Sequence, residues 1–143
     1  MRRRHFFSIA GGAAALFVRP SAVAAEGDDD ENIRIVTDFC KAFSARDVTK
    51  VSPFVSETIV YRVSETSAPI TGRDAVLARI KTFFDGVDTV DFKISRSYSI
   101  GPIVINERVD TFDGPNRHRR FHLTGMFYVK DRKIQEWTDY LIR

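Results

Sequence analysis

The second half of the chain most restricts what it can fold into. From Thr89 onward it reads as four strands in succession, Thr89–Ile100, Ile103–Phe112, Arg119–Lys130 and Lys133–Ile142. The turn sequences "GP", "DGPN" and "KDRK" separate them and make successive strands antiparallel hairpin partners. In the third segment the alternation is plain. Phe121, Leu123, Gly125, Phe127 and Val129 fall on one face, and Arg120, His122, Thr124, Met126 and Tyr128 on the other. A meander of this length carries a broad apolar face, and that face must be buried against another layer.

The upstream half supplies the layer. Ile33, Val36, Phe39, Cys40 and Phe43 recur at helical spacing between Glu31 and Ser44, with Asp30 placed to cap the helix and acidic neighbours favouring its positive end. Asp47 is placed to cap a short second helix through Val51, which Pro53 limits. "TIVYRVSE", Thr58 to Glu65, has the composition of a strand. Thr71, with Asp74 three residues on, resembles a weak capping box for a further helix. Val76, Leu77, Ile80, Phe83 and Phe84 form that helix's apolar side, and Gly86 is its stop. Helices followed by a long antiparallel meander predict an α+β domain in which a curved sheet wraps against helices. The sequence shows no internal repeat and no low-complexity tract.

Residues 1–25 read differently. Arg2, Arg3 and Arg4 lead into an apolar run from Phe6 to Val18, followed by Pro20 and the small residues "SAVAA". Basic start, short apolar core and small-residue cleavage site are the order of an export signal. The run is shorter than the roughly 20 apolar residues a membrane-spanning helix needs. "RRHFF" resembles the twin-arginine export motif, which serves proteins folded before export; an ordinary secretory signal is the alternative. Cleavage is expected near Ala24 or Ala25, leaving an acidic linker at 26–30 and one domain over 31–143, in the periplasm or outside a bacterial cell.

Removing the signal changes the charge balance. Of the 22 basic residues four lie in it (Arg2, Arg3, Arg4 and Arg19), so the remaining chain carries 18 against 19 acids, a net of −1. Neither nucleic-acid binding nor stable membrane insertion is expected of the mature domain. The basic run "NRHRR", Asn116 to Arg120, reads as a solvated turn. The single cysteine, Cys40, lies on the apolar stripe of the first helix and reads as a small buried hydrophobe. No cysteine–histidine spacing points to a structural metal.

Two strands carry residues a plain scaffold does not need. In "NERVDTF", Arg108 and Asp110 stand two apart and share a face with Val104, Asn106 and Phe112. In "EWTDYL", Asp139 sits between Trp137 and Leu141 on its own face, apolar company that desolvates a carboxylate. Alone, the arginine and Asp110 would be an ordinary surface pair, and periodicity does not say which side of their strand is enclosed. If both faces look into one cavity, it holds two carboxylates and one arginine. Repulsion and burial then raise one carboxyl pKa, and the pair shares a proton, one member a general acid and the other a general base. The arginine would hold both by charge-assisted bonds, with bidentate geometry available to it. Such a site can open a strained ether or shift a proton.

"ERVDTF", "TGMF" and "EWTDYL" occur in the order and approximate spacing of the limonene-1,2-epoxide hydrolase family, with "VYRV" and "GRDAV" upstream. The resemblance covers the chain from Asp30 to its end. It implies a nuclear-transport-factor-2-like fold (cystatin-like, SnoaL-like), in which a curved mixed, mostly antiparallel sheet and helices form a cone around a deep apolar pocket. It implies a reaction without cofactor, in which water attacks an epoxide carbon in one step, and a homodimer. By matching positions, Asp139 resembles the base that deprotonates water, Asp110 the acid that protonates the epoxide oxygen, Arg108 the bridge between them, and Tyr61 a holder of the water. Phe83, Val87, Phe112, Phe121, Leu123 and Leu141 match pocket-lining positions. With Trp137 as core or pocket wall, they suit a terpene-like or other small apolar substrate.

One position departs from the family. Its second water-holding residue, an asparagine two after the tyrosine, is here Val63, whose side chain cannot hydrogen-bond. The following loop, "SETSAPIT", is one residue longer than the family pattern, yet in a regular strand Ser64 faces away from Tyr61. His122 lies opposite Phe121 and Leu123 and is expected to face outward or a subunit interface. The expected function is an exported epoxide hydrolase. A cofactor-free isomerase or cyclase of the same fold, or a non-catalytic protein binding a small apolar ligand, are the alternatives that Val63 leaves open.

Overall fold

A computed structural model of the protein describes residues 22–142, with side chains from residue 28 onward. Residues 1–21 of the expected export signal, its twin-arginine motif among them, lie outside the residues so described, whereas the expected cleavage site at Ala24 or Ala25 falls in the first turn of the first helix. Helix α1 (Ala22–Ser44) is followed by a short α2 (Val48–Val51) and a 3-10 turn, Ser52–Phe54. Strand β1 (Val55–Arg62) leads through a loop to the two-residue β2 (Ile70–Thr71) and to α3 (Arg73–Asp85). The meander then runs β3 (Thr89–Ile100), β4 (Ile103–Gly114), β5 (Arg117–Lys130) and β6 (Lys133–Leu141). The six strands make one sheet in the order β2-β1-β6-β5-β4-β3. Every pairing is antiparallel except that of β1 with β6. The fold is α+β, a curved, open, mixed sheet with three α-helices among the described residues.

Most local expectations hold, and the exceptions have physical causes. Asp47 caps α2, its carboxylate accepting from the Thr49 N–H at 2.9 Å. α1 reaches back through the acidic run expected to be a linker, so Asp30 lies inside the helix and does not cap it. No proline interrupts the run, and an interior glycine costs only about 1 kcal/mol. The capping box does not form either. Thr71 pairs with Val60 in the sheet, and α3 is entered through Gly72 at φ 93°, a conformation that glycine adopts without strain. β1 lies earlier than expected: it ends at Arg62, where a turn closes from the Ser67 N–H to the Ser64 carbonyl at 3.0 Å. β4 and β5 run on to leave only Pro115 and Asn116 between them, with Asn116 at φ 66°, the positive φ that a type II turn takes in the residue after its proline.

The helices cover one face of the sheet. Phe39 of α1 meets Trp137 edge-on at 5.1 Å and Phe127 at 5.9 Å, while Phe43 stacks on Phe92 at 4.6 Å. From α3, Val76, Ile80 and Phe84 are buried in the same core. Burial also settles the orientation of β4. Val104, Asn106, Arg108 and Asp110 are buried, whereas Ile103, Ile105, Glu107 and Val109 are half-buried on the other side. The face that carries the charges is the enclosed one.

Candidate active site

Strand register brings the polar groups together. Asn106 of β4 pairs with Gly125 of β5, which pairs with Asp139 of β6. Arg108 and Asp110 follow Asn106 at two-residue steps on the same face. The guanidinium of Arg108 joins all three side chains: Nε donates to Asp110 Oδ1 at 2.9 Å, Nη2 to Asp139 Oδ1 at 2.7 Å and Nη1 to Asn106 Oδ1 at 3.0 Å. The bidentate geometry open to this arginine is not used; each nitrogen serves a different partner.

Gly125 is what allows this. A Cβ at that position would stand 2.1 Å from Arg108 Nη1 and 2.7 Å from Asn106 Oδ1. The guanidinium occupies the space where any other residue would carry its side chain. It also lies 4.7 Å from the centre of the Phe92 ring, a cation–π distance. No part of the Arg108 side chain reaches solvent. A charge so deeply buried costs several kcal/mol unless it is paired and hydrogen-bonded, and here every nitrogen is.

The carboxylates differ in their surroundings. Burial pushes Asp110 up to about 7, against the pull of Arg108. Burial raises Asp139 as well, but its Oδ1 accepts both from Arg108 and from the Trp137 indole N–H at 2.8 Å. Two donors on one carboxylate against one on the other favour the negative charge on Asp139 and the proton on Asp110. Arg108 remains charged: burial alone would lower its pKa, but the two carboxylates lift it above its ordinary range. Tyr61 stacks on Trp137 with ring centres 4.1 Å apart. Burial, and then the nearby Asp139, push its phenol up, which keeps it a neutral hydroxyl.

These groups border a cavity of about 330 Å³. Tyr61, Asp110, Asp139, Trp137, Phe83, Phe112, Phe121, Leu123 and Leu141 all line it, as the sequence leads one to expect. Arg108 does not reach the cavity surface. Val87 does not line it either. α3 stops at Asp85, Gly86 caps it, and Val87 turns into a neighbouring cavity of about 200 Å³ that shares Phe83 and Phe112. Phe43, Ile80 and Phe92 complete the apolar wall. Phe43 and Ile80 are visible in the sequence as helix-face residues, but periodicity does not separate a pocket wall from a core. Trp137's bond to Asp139 is a further role that its apolar character hid.

Val63 and Ser64 both line the cavity. β1 has ended at Arg62, so strand alternation no longer applies and Ser64 is not turned away. Its hydroxyl shares a hydrogen bond with Ser67 Oγ at 2.7 Å. Elsewhere, His122 is exposed and His118 pairs with Asp113 at the exposed hairpin. Cys40 is buried beneath the site, accepting a weak bond from Asn106 Nδ2 at 3.8 Å. Burial pushes its thiol up to about 12, which leaves it protonated and unreactive.

Comparison with known proteins shows the family and the fold. The limonene-1,2-epoxide hydrolase catalytic domain family matches residues 30–142. An epoxide hydrolase of the same type from M. tuberculosis is 26% identical, with a TM-score of 0.74 over 80% of this chain and 84% of that one. A protein of Shewanella putrefaciens assigned as a SnoaL-like polyketide cyclase is 16% identical, with a TM-score of 0.71 over 78% and 89% of the two chains. One of Kribbella flavida assigned as a ketosteroid isomerase is 17% identical, with a TM-score of 0.67 over 81% of each. The last two likenesses are of fold alone. Among curated proteins nothing matches the chain.

Proposed function

Because this chain belongs to the limonene-1,2-epoxide hydrolase family, we propose that it adds water to a small apolar epoxide, giving a vicinal diol in one general acid/base step. The observation that carries the proposal is Arg108 bonded at once to Asp110 and Asp139, both of which border an apolar cavity. In the proposed step Asp139 takes a proton from water as the water oxygen attacks an epoxide carbon. The carbon–oxygen bond breaks, and Asp110 gives its proton to the departing oxygen. Asp139 then holds the proton and Asp110 the charge, and exchange with solvent restores the starting state. Arg108 stays charged throughout and balances whichever carboxylate is ionised. The apolar wall excludes competing water, and Tyr61, a neutral phenol, can donate to the attacking water.

The test is turnover of a panel of apolar epoxides, limonene oxide among them, by the mature chain in isotopically labelled water. A diol carrying the label is expected, and no product from any epoxide would defeat the proposal. Val63 favours a second reading, a cyclase or isomerase that uses the same acids to move a proton. Proton exchange at a carbon acid without diol formation would select it. We place the enzyme outside the cytoplasm, on the charge-then-apolar order of residues 1–25; detection of the mature form only inside the cytoplasm would refute that.

A further inference from the structure

Asn106 is the one hydrogen-bond partner of Arg108 that takes no part in the proposed proton transfers. It does not line the cavity, and none of it reaches solvent. Its carboxamide is held at both ends. Oδ1 accepts from Arg108 Nη1 at 3.0 Å, and Nδ2 points at Cys40 Sγ of α1, 3.8 Å away. A guanidinium nitrogen only donates, so the amide oxygen must face it. On the β5 side the oxygen has room because Gly125 carries no side chain: a Cβ there would stand 2.7 Å from it.

Nη1 and Nη2 together form one fork of the guanidinium, the geometry in which an arginine binds a single carboxylate by two parallel bonds. Nη2 already bonds Asp139 at 2.7 Å, and with Nη1 free the fork would close on the same carboxylate. Asn106 holds Nη1 away from it. We propose that Asn106 is a positioning residue, a neutral acceptor that keeps Arg108 divided between the two acids by stopping it from closing a bidentate pair on Asp139. The division of Arg108 stands on the geometry; its importance for turnover rests on the hydrolase reading. A carboxylate gripped by both nitrogens takes up a proton less readily, which weakens it as a base. A neutral partner also leaves the charge count intact: one cation, two carboxyls and one shared proton. The other titratable groups facing the cluster are Cys40 of α1 and Tyr61 of β1, both held neutral by burial. Arg79 of α3 has a lesser effect on Tyr61, and Asp91 of β3 a lesser effect on Asp110.

Two variants test this. Each is read by the pH profile of kcat and kcat/KM for an epoxide that the wild-type chain turns over, and by the fluorescence of Trp137 titrated with pH. Trp137 is the chain's single tryptophan and its indole N–H bonds Asp139, so its emission follows the charge there without any substrate. Asn106→Leu keeps the volume and removes the acceptor, so the fork should close on Asp139. The acidic limb and the fluorescence midpoint should then move down by about one pH unit. At the optimum kcat should fall about threefold, because the base is weaker, while KM stays unchanged, since Asn106 does not reach the cavity. Asn106→Asp keeps the shape and the acceptor but adds a charge that competes for Arg108, so both limbs and the midpoint should move up. A limb and midpoint in Asn106→Leu that stay at the wild-type values or move up, even with stability lost, would overturn the assignment. Where thermal unfolding shows that Asn106→Leu does not fold, the upward shift in Asn106→Asp decides alone, and its absence overturns the assignment equally. If no epoxide is turned over at all, the hydrolase reading fails, and the fluorescence midpoint still decides whether Asn106 divides Arg108.

Discussion

The two sides of the cavity are built differently. On one, Asn106, Arg108 and Asp110 of β4 and Asp139 of β6 flank β5 in a continuous antiparallel ladder, and each position follows from register. On the other, β1 stops at Arg62 and the side chains that reach the cavity, Val63 and Ser64, belong to a turn. A one-residue slip in the ladder would turn every polar side chain out of the cavity. A turn has no such all-or-none constraint, and there Val63 stands where the family resemblance implies a hydrogen-bonding asparagine. On the proposed reading, the proton chemistry is held by the sheet and the holding of water is left to a loop.

Breaking the ladder side should have the larger consequences. Asp139→Asn and Asp110→Asn should each lower kcat by about 10³-fold, within the range general acid/base groups supply. The fold should persist, since the remaining carboxylate can ionise to balance Arg108; thermal unfolding checks this. Next in size is Gly125→Ala. Its new Cβ would displace the guanidinium, lowering kcat about 100-fold and stability by about 2–4 kcal/mol, read from urea unfolding. Trp137→Phe keeps the ring but removes a donor from Asp139. It should lower kcat about tenfold and shift the acidic limb of the pH profile upward, because Asp139 loses a bond that favours its charged form. On the loop side the effect should be small and opposite in sign. Val63→Asn should raise kcat about threefold by steadying the attacking water. No change would mean that water is already held by other groups, with Ser64 the next to test.

The same division explains what could be read in advance. Turn residues and period-two alternation mark out the four-strand meander to within a few residues, because both are local signals. β2 has no such signal; two residues become a strand only by pairing with β1. The parallel contact of β1 with β6 joins distant parts of the chain, and nothing in "TIVYR" announces it. In the site, the shared face of Arg108 and Asp110 follows from spacing, and Asp139 stands out as an acid among apolar neighbours. The reason for Gly125 needs the third dimension, since only register shows that a guanidinium fills the place of its side chain. Val87 is assigned to the pocket by resemblance alone, and beyond the Gly86 stop it turns into the neighbouring cavity instead.

The most direct test of the central claim is the pH dependence of kcat/KM for a neutral epoxide. The acid must be protonated, and burial holds Asp110 at about 7, so activity should fall as pH rises through that value. The base must be ionised, and burial raises Asp139, so the acidic limb should lie above the ordinary carboxylate range. The two limbs belong to the coupled pair rather than to either residue alone. The expected profile is a narrow bell whose alkaline limb lies near pH 7. A rate that stays level from neutral to strongly alkaline pH would contradict it.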